Sequence, residues 1–214
     1  MKNIAFIINP MSGTQNKRRL PKLIGELLDK SQWLENIVFT EHTGQALVLA
    51  RQYATMGFDA VVAVGGDGTV REVVEGICGS RSALGIIPMG LTNTLARHMG
   101  IPLRGNATIT WLNHSEPLQC DSLRVTIDSQ QTVSAMLEVK AGETRCINCA
   151  QGIKSSIQDG QMELCSAEGE SKTTAFECPL SGQIIVDGDE YTAEQSIRVE
   201  LLKDSLYVLA PKRF

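Results

Sequence analysis

Two glycines, an aspartate, a third glycine and a threonine follow directly on a β-branched run in Val61-Val62-Ala63-Val64-Gly65-Gly66-Asp67-Gly68-Thr69. The order reads as strand, tight turn and helix N-terminus. Glycines let a backbone come close to a bulky anion, and the first unpaired N–H groups of a helix point at it. Asp67 does not suit a bare phosphate cradle, because a carboxylate repels phosphate. It is accounted for by a divalent cation lying between the two, or by a hydroxyl that it orients. The plainer alternative is a β–α turn in which Gly-Asp-Gly-Thr serves only as turn and N-cap.

Two further segments weigh against the plain turn. Ile4-Ala5-Phe6-Ile7-Ile8 is a buried-strand run that ends in Asn9-Pro10-Met11-Ser12-Gly13-Thr14. Leu84-Gly85-Ile86-Ile87 runs into Pro88-Met89-Gly90-Leu91-Thr92-Asn93-Thr94 and then into the helical Leu95-Ala96-Arg97-His98-Met99. In an open parallel sheet all three loops lie at the carboxyl edge, where ligands bind. Three loops of matching chemistry point to a nucleotide site.

Around these loops, residues 1–115 alternate strand-like and helix-like segments. Strands are expected near 3–9, 36–40, 59–64 and 83–87, and helices near 17–30, 44–56, 69–78 and 91–99. Such a βαβα order predicts a parallel sheet with helices on both faces. Leu20, Leu23, Ile24, Leu27 and Leu28 recur at helical spacing as one buried face, as do Ala46, Leu47, Leu49, Ala50 and Tyr53. The stretch Asn106–Leu112 fits neither period.

From about 116 the texture changes to short alternating runs, among them Leu123–Ile127, Val133–Val139, Met162–Leu164, Gln183–Val186, Ile197–Leu201 and Leu206–Leu209. Ile197-Arg198-Val199-Glu200-Leu201 has the pattern of a half-exposed antiparallel strand. A second domain, all-β and antiparallel, is therefore expected over 116–214, and Ser166–Ser171 has the composition of a hairpin tip or loop. Within it, Val186-Asp187-Gly188-Asp189-Glu190 sets three acids around a glycine, and Asp-Gly is a strong hairpin-turn pair. Three such close carboxylates repel one another unless a cation or solvent relieves them.

Asn9-Pro10-x-Ser12-Gly13, Gly65-Gly66-Asp67-Gly68-Thr69 and Pro88-x-Gly90-x-x-Asn93 occur in the order found in the diacylglycerol kinase/sphingosine kinase catalytic family, which includes bacterial lipid kinases. The chain resembles that family over residues 3–127, and Thr43-Gly44-Gln45-Ala46 resembles its Gly-x-Ala element. The Gly-Gly-Asp-Gly signature is shared with NAD kinases and phosphofructokinases; its combination with the first and third loops is the specific part. The resemblance implies a kinase that uses ATP and Mg²⁺. Asn9, Ser12, Gly13, Thr43, Gly65, Gly66, Gly68, Thr69, Gly90, Thr92 and Asn93 would hold the nucleotide, and Asp67 would act through the metal. Asp187 would stand for the family's general base, with Asp189 in the place of its glutamate. Asp121 would lie near the nucleotide, Asp159 in Asp159-Gly160-x-Met162 would belong to a structural magnesium loop or a plain hairpin turn, and Asn106–Leu112 would be a short helix.

The chain also departs from the family. Where Gly-Thr-Gly-Asn-Asp is usual, it has Gly90-Leu91-Thr92-Asn93-Thr94, so that Thr92 replaces a glycine and Thr94 an acid. The β domain is shorter than the family norm, and the acyl-chain pocket belongs to that part.

Composition limits the partners. The 214 residues carry a net charge of −4, with 43% hydrophobic and 21% charged residues, as in ordinary globular proteins. Nothing gives a nucleic-acid footprint. Lys17-Arg18-Arg19 with Lys22 reads as a solvated first helical turn in preference to an anion or membrane contact. With no apolar run long enough to span a bilayer and no signal-peptide core, a cytoplasmic location and reduced thiols are expected. Cys146-Ile147-Asn148-Cys149 has metal-ligand spacing, but a second close pair is missing, so ordinary thiols are expected.

The expectation is thus an ATP- and Mg²⁺-dependent kinase for a lipid or lipid-like alcohol, meeting membranes at most peripherally. A homodimer is admitted without any residue that specifies it. Two alternatives stay open: a non-catalytic nucleotide-binding homologue, and a kinase of a soluble alcohol.

Overall fold

The computed structural model describes residues 1–13, 17–136, 138–147, 161–166 and 169–211. The chain divides into two compact units, one of Met1–Gln119 with Leu206–Phe214 and one of Cys120–Ser205.

The first unit contains β1 (Lys2–Ile8), α1 (Leu20–Leu27), β2 (Trp33–Phe39), α2 (Gln45–Thr55), β3 (Ala60–Gly65), α3 (Asp67–Ile77), β4 (Ala83–Pro88), α4 (Thr94–His98) and α5 (Gly105–Leu112). Strands β2, β1, β3 and β4 lie side by side in that order, all parallel. Beyond β4, Tyr207 and Val208 of the long last strand β14 (Ser196–Pro211) add in parallel opposite Ala83 and Leu84. This last stretch therefore groups with the first unit, although its alternating texture suggests the antiparallel domain. Strands β3 and β4 are buried throughout, as expected of parallel strands covered on both faces. Ile4, Phe6, Ile8, Val62, Val64 and Ile87 pack with Leu20, Ile24, Ile109 and Leu112 of the helices in one core.

Local chemistry explains where the helices depart from their expected limits. Lys17–Arg19 is a 3-10 turn, and α1 begins behind it with Pro21 in its first turn, where a missing N–H costs nothing. Lys17 is not solvated as expected: it is 4% exposed, and its ammonium donates to the Ser12 carbonyl. Burial holds its pKa below the usual lysine value. Helix α4 starts only at Thr94 because Asn93 is left-handed, at φ 50°. Helix α5 forms despite its β-branched run, burying Thr108, Ile109 and Leu112 on one face. Thr108 and Thr110 turn their hydroxyls back onto the Arg104 and Asn106 carbonyls, at 3.0 and 3.1 Å.

The second unit is antiparallel. It comprises β6 (Gln131–Ala135), β7 (Glu138–Ala141), β8 (Thr144–Ile147), β9 (Met162–Ser166), β10 (Gly169–Thr173), β11 (Ala175–Pro179), β12 (Gly182–Val186), β13 (Asp189–Ala193) and most of β5 (Ser115–Ile127) and β14. One sheet has the order β10-β9-β8-β7-β12-β13; β5 pairs with β6, and β11 with the start of β14. The expected strand 133–139 is in fact two, β6 and β7, and the Asp187 carboxylate accepts the N–H groups of Met136, which follows β6, and of Glu138, which opens β7. Leu123, Val125, Val139, Ile184, Val186, Ile197 and Val199 form its core. No helix among the described residues is long and apolar enough to cross a membrane.

Candidate functional site

The loops after β1, β3 and β4 lie together at the carboxyl edge of the parallel sheet, joined through backbone. Asn9 N–H donates to the Val64 carbonyl at 3.0 Å and Met89 N–H to the Gly65 carbonyl at 2.7 Å. Glycine is required by these close approaches. A Cβ on Gly13, which is left-handed at φ 59°, would stand 2.1 Å from the Met89 carbonyl oxygen; one on Gly90 would stand 2.5 Å from the Gly66 Cα. The Gly-rich composition thus brings loop onto loop as well as making room for a ligand.

Asp67 stands in the first turn of α3, whose N-cap, Gly66, has no side-chain cap. Its carboxylate does not close its own helix but reaches the third loop. Oδ2 accepts the Thr92 hydroxyl at 2.5 Å and Oδ1 the Thr94 N–H, the first of α4, at 2.6 Å. Thr94, at the position where an acid is usual, therefore contributes its backbone. Asn93 is buried and makes an amide pair with Gly90, accepting its N–H and donating to its carbonyl, both at 2.8 Å. Asn9 donates to Thr69 Oγ1 at 3.0 Å and accepts the Met11 N–H at 2.9 Å, while the Ser12 hydroxyl donates to the Asn9 carbonyl. These side chains fix the loops in shape and leave the helix N-terminus open.

A pocket of about 240 Å³ lies against this edge. On one side it is lined by Asn9, Ser12, Gly66, Gly68 and Thr69, and on the other by Thr40, His42, Thr43 and Ala46. Arg71 and Glu72 of α3 complete it. Of the residues expected from sequence, Asn9, Ser12, Thr43, Gly66, Gly68 and Thr69 meet here. Gly13, Gly65, Gly90, Thr92 and Asn93 frame the loops around Asp67. Sequence reasoning missed Thr40, His42, Ala46, Arg71 and Glu72. Two signals were present: Thr40 follows β2 as Asn9 follows β1, and Arg71 and Glu72 come three residues after Gly68 and Thr69, on the same helical face.

The acids of the second unit have defined local tasks. Asp187 and Gly188 have φ of 49° and 94° between the paired Val186 and Asp189, a two-residue hairpin turn of the primed kind. The Asp187 carboxylate accepts the Met136 N–H at 2.6 Å and the Glu138 N–H at 2.9 Å. Asp189 opens β13. Asp121 is fully buried, and its Oδ1 accepts the Asp204 N–H at 2.7 Å where β14 bends through a left-handed residue. Cys146 is a buried thiol whose pKa is pushed up to about 12, first by burial and then by the neighbouring Cys178 and Cys165. Asp159 and Cys149 lie outside the described residues. Among the described residues no three acidic, histidine or cysteine side chains gather in a way that could hold a metal.

A family model described as the diacylglycerol kinase catalytic domain matches residues 3–125, more than half of the chain. The chain is 36% identical over 104 residues to a diacylglycerol kinase of Bacillus subtilis, a match covering 48% of this chain and 34% of that protein. It is 38% identical over 104 residues to a diacylglycerol kinase of Staphylococcus aureus, covering 47% and 33%. The match thus spans about a third of the length of these curated relatives. The fold is that of a crystal structure of a diacylglycerol kinase from Bacillus anthracis, with a TM-score of 0.73 at 15% identity over 98% of this chain and 97% of that one.

Proposed function

The chain belongs to the diacylglycerol kinase catalytic-domain family, and on that footing we propose that it is an ATP-dependent kinase that phosphorylates a hydroxyl of a lipid or lipid-like alcohol. The observation that carries this reading is the gathering of three loops around the open N-terminus of α3, with Asp67 inside it and a pocket beside it. Helix N-termini bind phosphate through their unpaired N–H groups and the helix dipole. Gly66, Gly68 and Thr69 supply that end, Arg71 brings a positive charge to the pocket wall, and Asn9 and Ser12 close the near side.

A magnesium ion suits this donor set, because it takes one or two carboxylates and completes its shell with phosphate oxygens and water. Asp67 would hold it, and the ion would supply charge neutralisation at the transferring phosphoryl group. The remaining chemistry asks mainly for positioning. The acceptor hydroxyl oxygen bonds to the γ-phosphorus, the bond from that phosphorus to the β,γ-bridging oxygen breaks, and ADP leaves. By the resemblance to the family, Asp187 would take the hydroxyl proton, with Asp189 in the place of the family's glutamate. Two backbone N–H groups fix the Asp187 carboxylate in place. A loose phosphoryl transition state needs only a well-placed, weakly basic acceptor.

The test is transfer of labelled γ-phosphate from magnesium-ATP to diacylglycerol or sphingosine-like lipids in vesicles, with soluble alcohols in parallel. Wild type labels lipid, whereas Asp67→Ala and Asp187→Ala keep the fold, melt lower for the two hydrogen bonds that each loses, and do not. Full turnover in either variant removes that residue from the mechanism. One observation favours a second reading, a nucleotide-binding homologue without transfer: both Asp67 oxygens are already held by the third loop. That reading predicts stabilisation by ATP with no label in any acceptor.

A further inference from the structure

Two helix N-termini, not one, open on the pocket. Gly66, Gly68 and Thr69 belong to that of α3, and Thr43 and Ala46 to that of α2. Each helix has 11 residues and lacks a side-chain cap from its own N-cap residue, Gly66 in one case and Gly44 in the other. Both ends therefore present N–H groups that their own helix does not cap, together with a positive dipole, and without a further partner at one of them a polyphosphate would meet two competing seats.

Glu72 removes one of them. It lies on α3, one turn beyond Thr69, and crosses to α2. Its Oε1 accepts the Gly44 N–H at 2.9 Å and its Oε2 the Ala46 N–H at 3.1 Å. A carboxylate thus fills the N-terminus of α2 and adds negative charge to that wall of the pocket. Each oxygen keeps lone-pair capacity for a further donor, such as a ribose hydroxyl or an exocyclic amino group.

We propose that Glu72 is a positioning and specificity residue that sets the direction of the bound nucleotide. Phosphates are directed to α3, the uncharged nucleoside lies toward Thr43 and Ala46, and free polyphosphate is refused at α2. This rests on the assignment of the pocket to a nucleotide. A purely structural cap predicts something different: weaker binding of every ligand in step with a looser fold.

The experiment compares calorimetric affinities of the full chain for ATP and for inorganic tripolyphosphate, in wild type, Glu72→Gln and Glu72→Asp, with melting curves alongside. Glutamine keeps the shape, loses the charge, and turns an N–H toward one of the α2 N–H groups. It is expected to bind ATP about tenfold more weakly and tripolyphosphate more tightly, the scale of a charge at a helix end. Aspartate keeps the charge on a shorter arm, so that ATP binding falls while tripolyphosphate stays excluded. An unchanged ratio of the two affinities in Glu72→Gln overturns the proposal. Should that variant not fold, ATP binding by Glu72→Asp equal to wild type overturns it. A wild-type chain that binds no nucleotide overturns both the proposal and the kinase reading beneath it. Nucleotide binding by wild type with an unchanged ratio in the variant overturns the proposal alone.

Discussion

Replacing Gly90 by alanine separates the role of glycine in loop packing from its role in ligand access. The added Cβ would lie 2.5 Å from the Gly66 Cα and 3.0 Å from Asn93 Oδ1. Carbon atoms rest at about 3.5–4.0 Å, so the third loop must move from Gly66 by about 1 Å. Asp67 adjoins Gly66, and its bonds to Thr92 and Thr94 are 2.5 and 2.6 Å long. A displacement of that size takes both to the edge of hydrogen-bonding distance. Overpacking of this kind costs about 1–3 kcal/mol. For a chain of this length that lowers the melting temperature by about 2–12 °C. Nucleotide affinity should fall with it, since the loops that frame the pocket part before the sheet does. Thermal denaturation followed by circular dichroism, with ATP titration of the same samples, reads both effects. A Gly90→Ala chain that melts within about 1 °C of wild type and binds ATP unchanged refutes the reasoning, because the loop contact would then carry no strain.

The same glycine-to-alanine change gives the opposite sign elsewhere. Gly25 is exposed within α1 and a Cβ there meets nothing within 4 Å, so Gly25→Ala should stabilise the chain by about 0.5–1 kcal/mol in urea unfolding. No gain would mean that α1 does not persist as a helix at that point. The Cys146 thiol, raised from 9.0 to about 12, stays protonated in the folded chain while the unfolded chain ionises. Between these values the folded state binds more protons, so its contribution is whole below pH 9 and is lost as pH rises toward 12. Cys146→Ala should flatten the alkaline fall in stability, and peptide mapping after alkylation at pH 8 should find Cys146 unlabelled while Cys78 reacts. Rapid labelling of Cys146 would contradict its burial.

What the sequence determined was the part governed by neighbours along the chain. Apolar β-branched runs broken by Asn-Pro, Gly-Gly-Asp-Gly and Pro-x-Gly mark the strand ends of the parallel sheet, and their order points to the family. The Asp187-Gly188 pair marks its hairpin because both residues must take positive φ. Helix α5 was obscured because its threonines favour strands locally, and only the burial of Ile109 and Leu112 overrides that preference. Lys17 looked solvated because charge runs usually are; its burial follows from the packing of the first loop.

Tertiary structure alone decided which polar groups meet. Asp67 meets Thr92 and Thr94 from 25 and 27 residues away, and Glu72 meets Gly44 and Ala46 from 28 and 26. No periodicity encodes such pairs. A hydrogen bond depends on the distance between two atoms in space, and that distance is set by the register of strands and the packing of helices, to which the identity of any single residue contributes little.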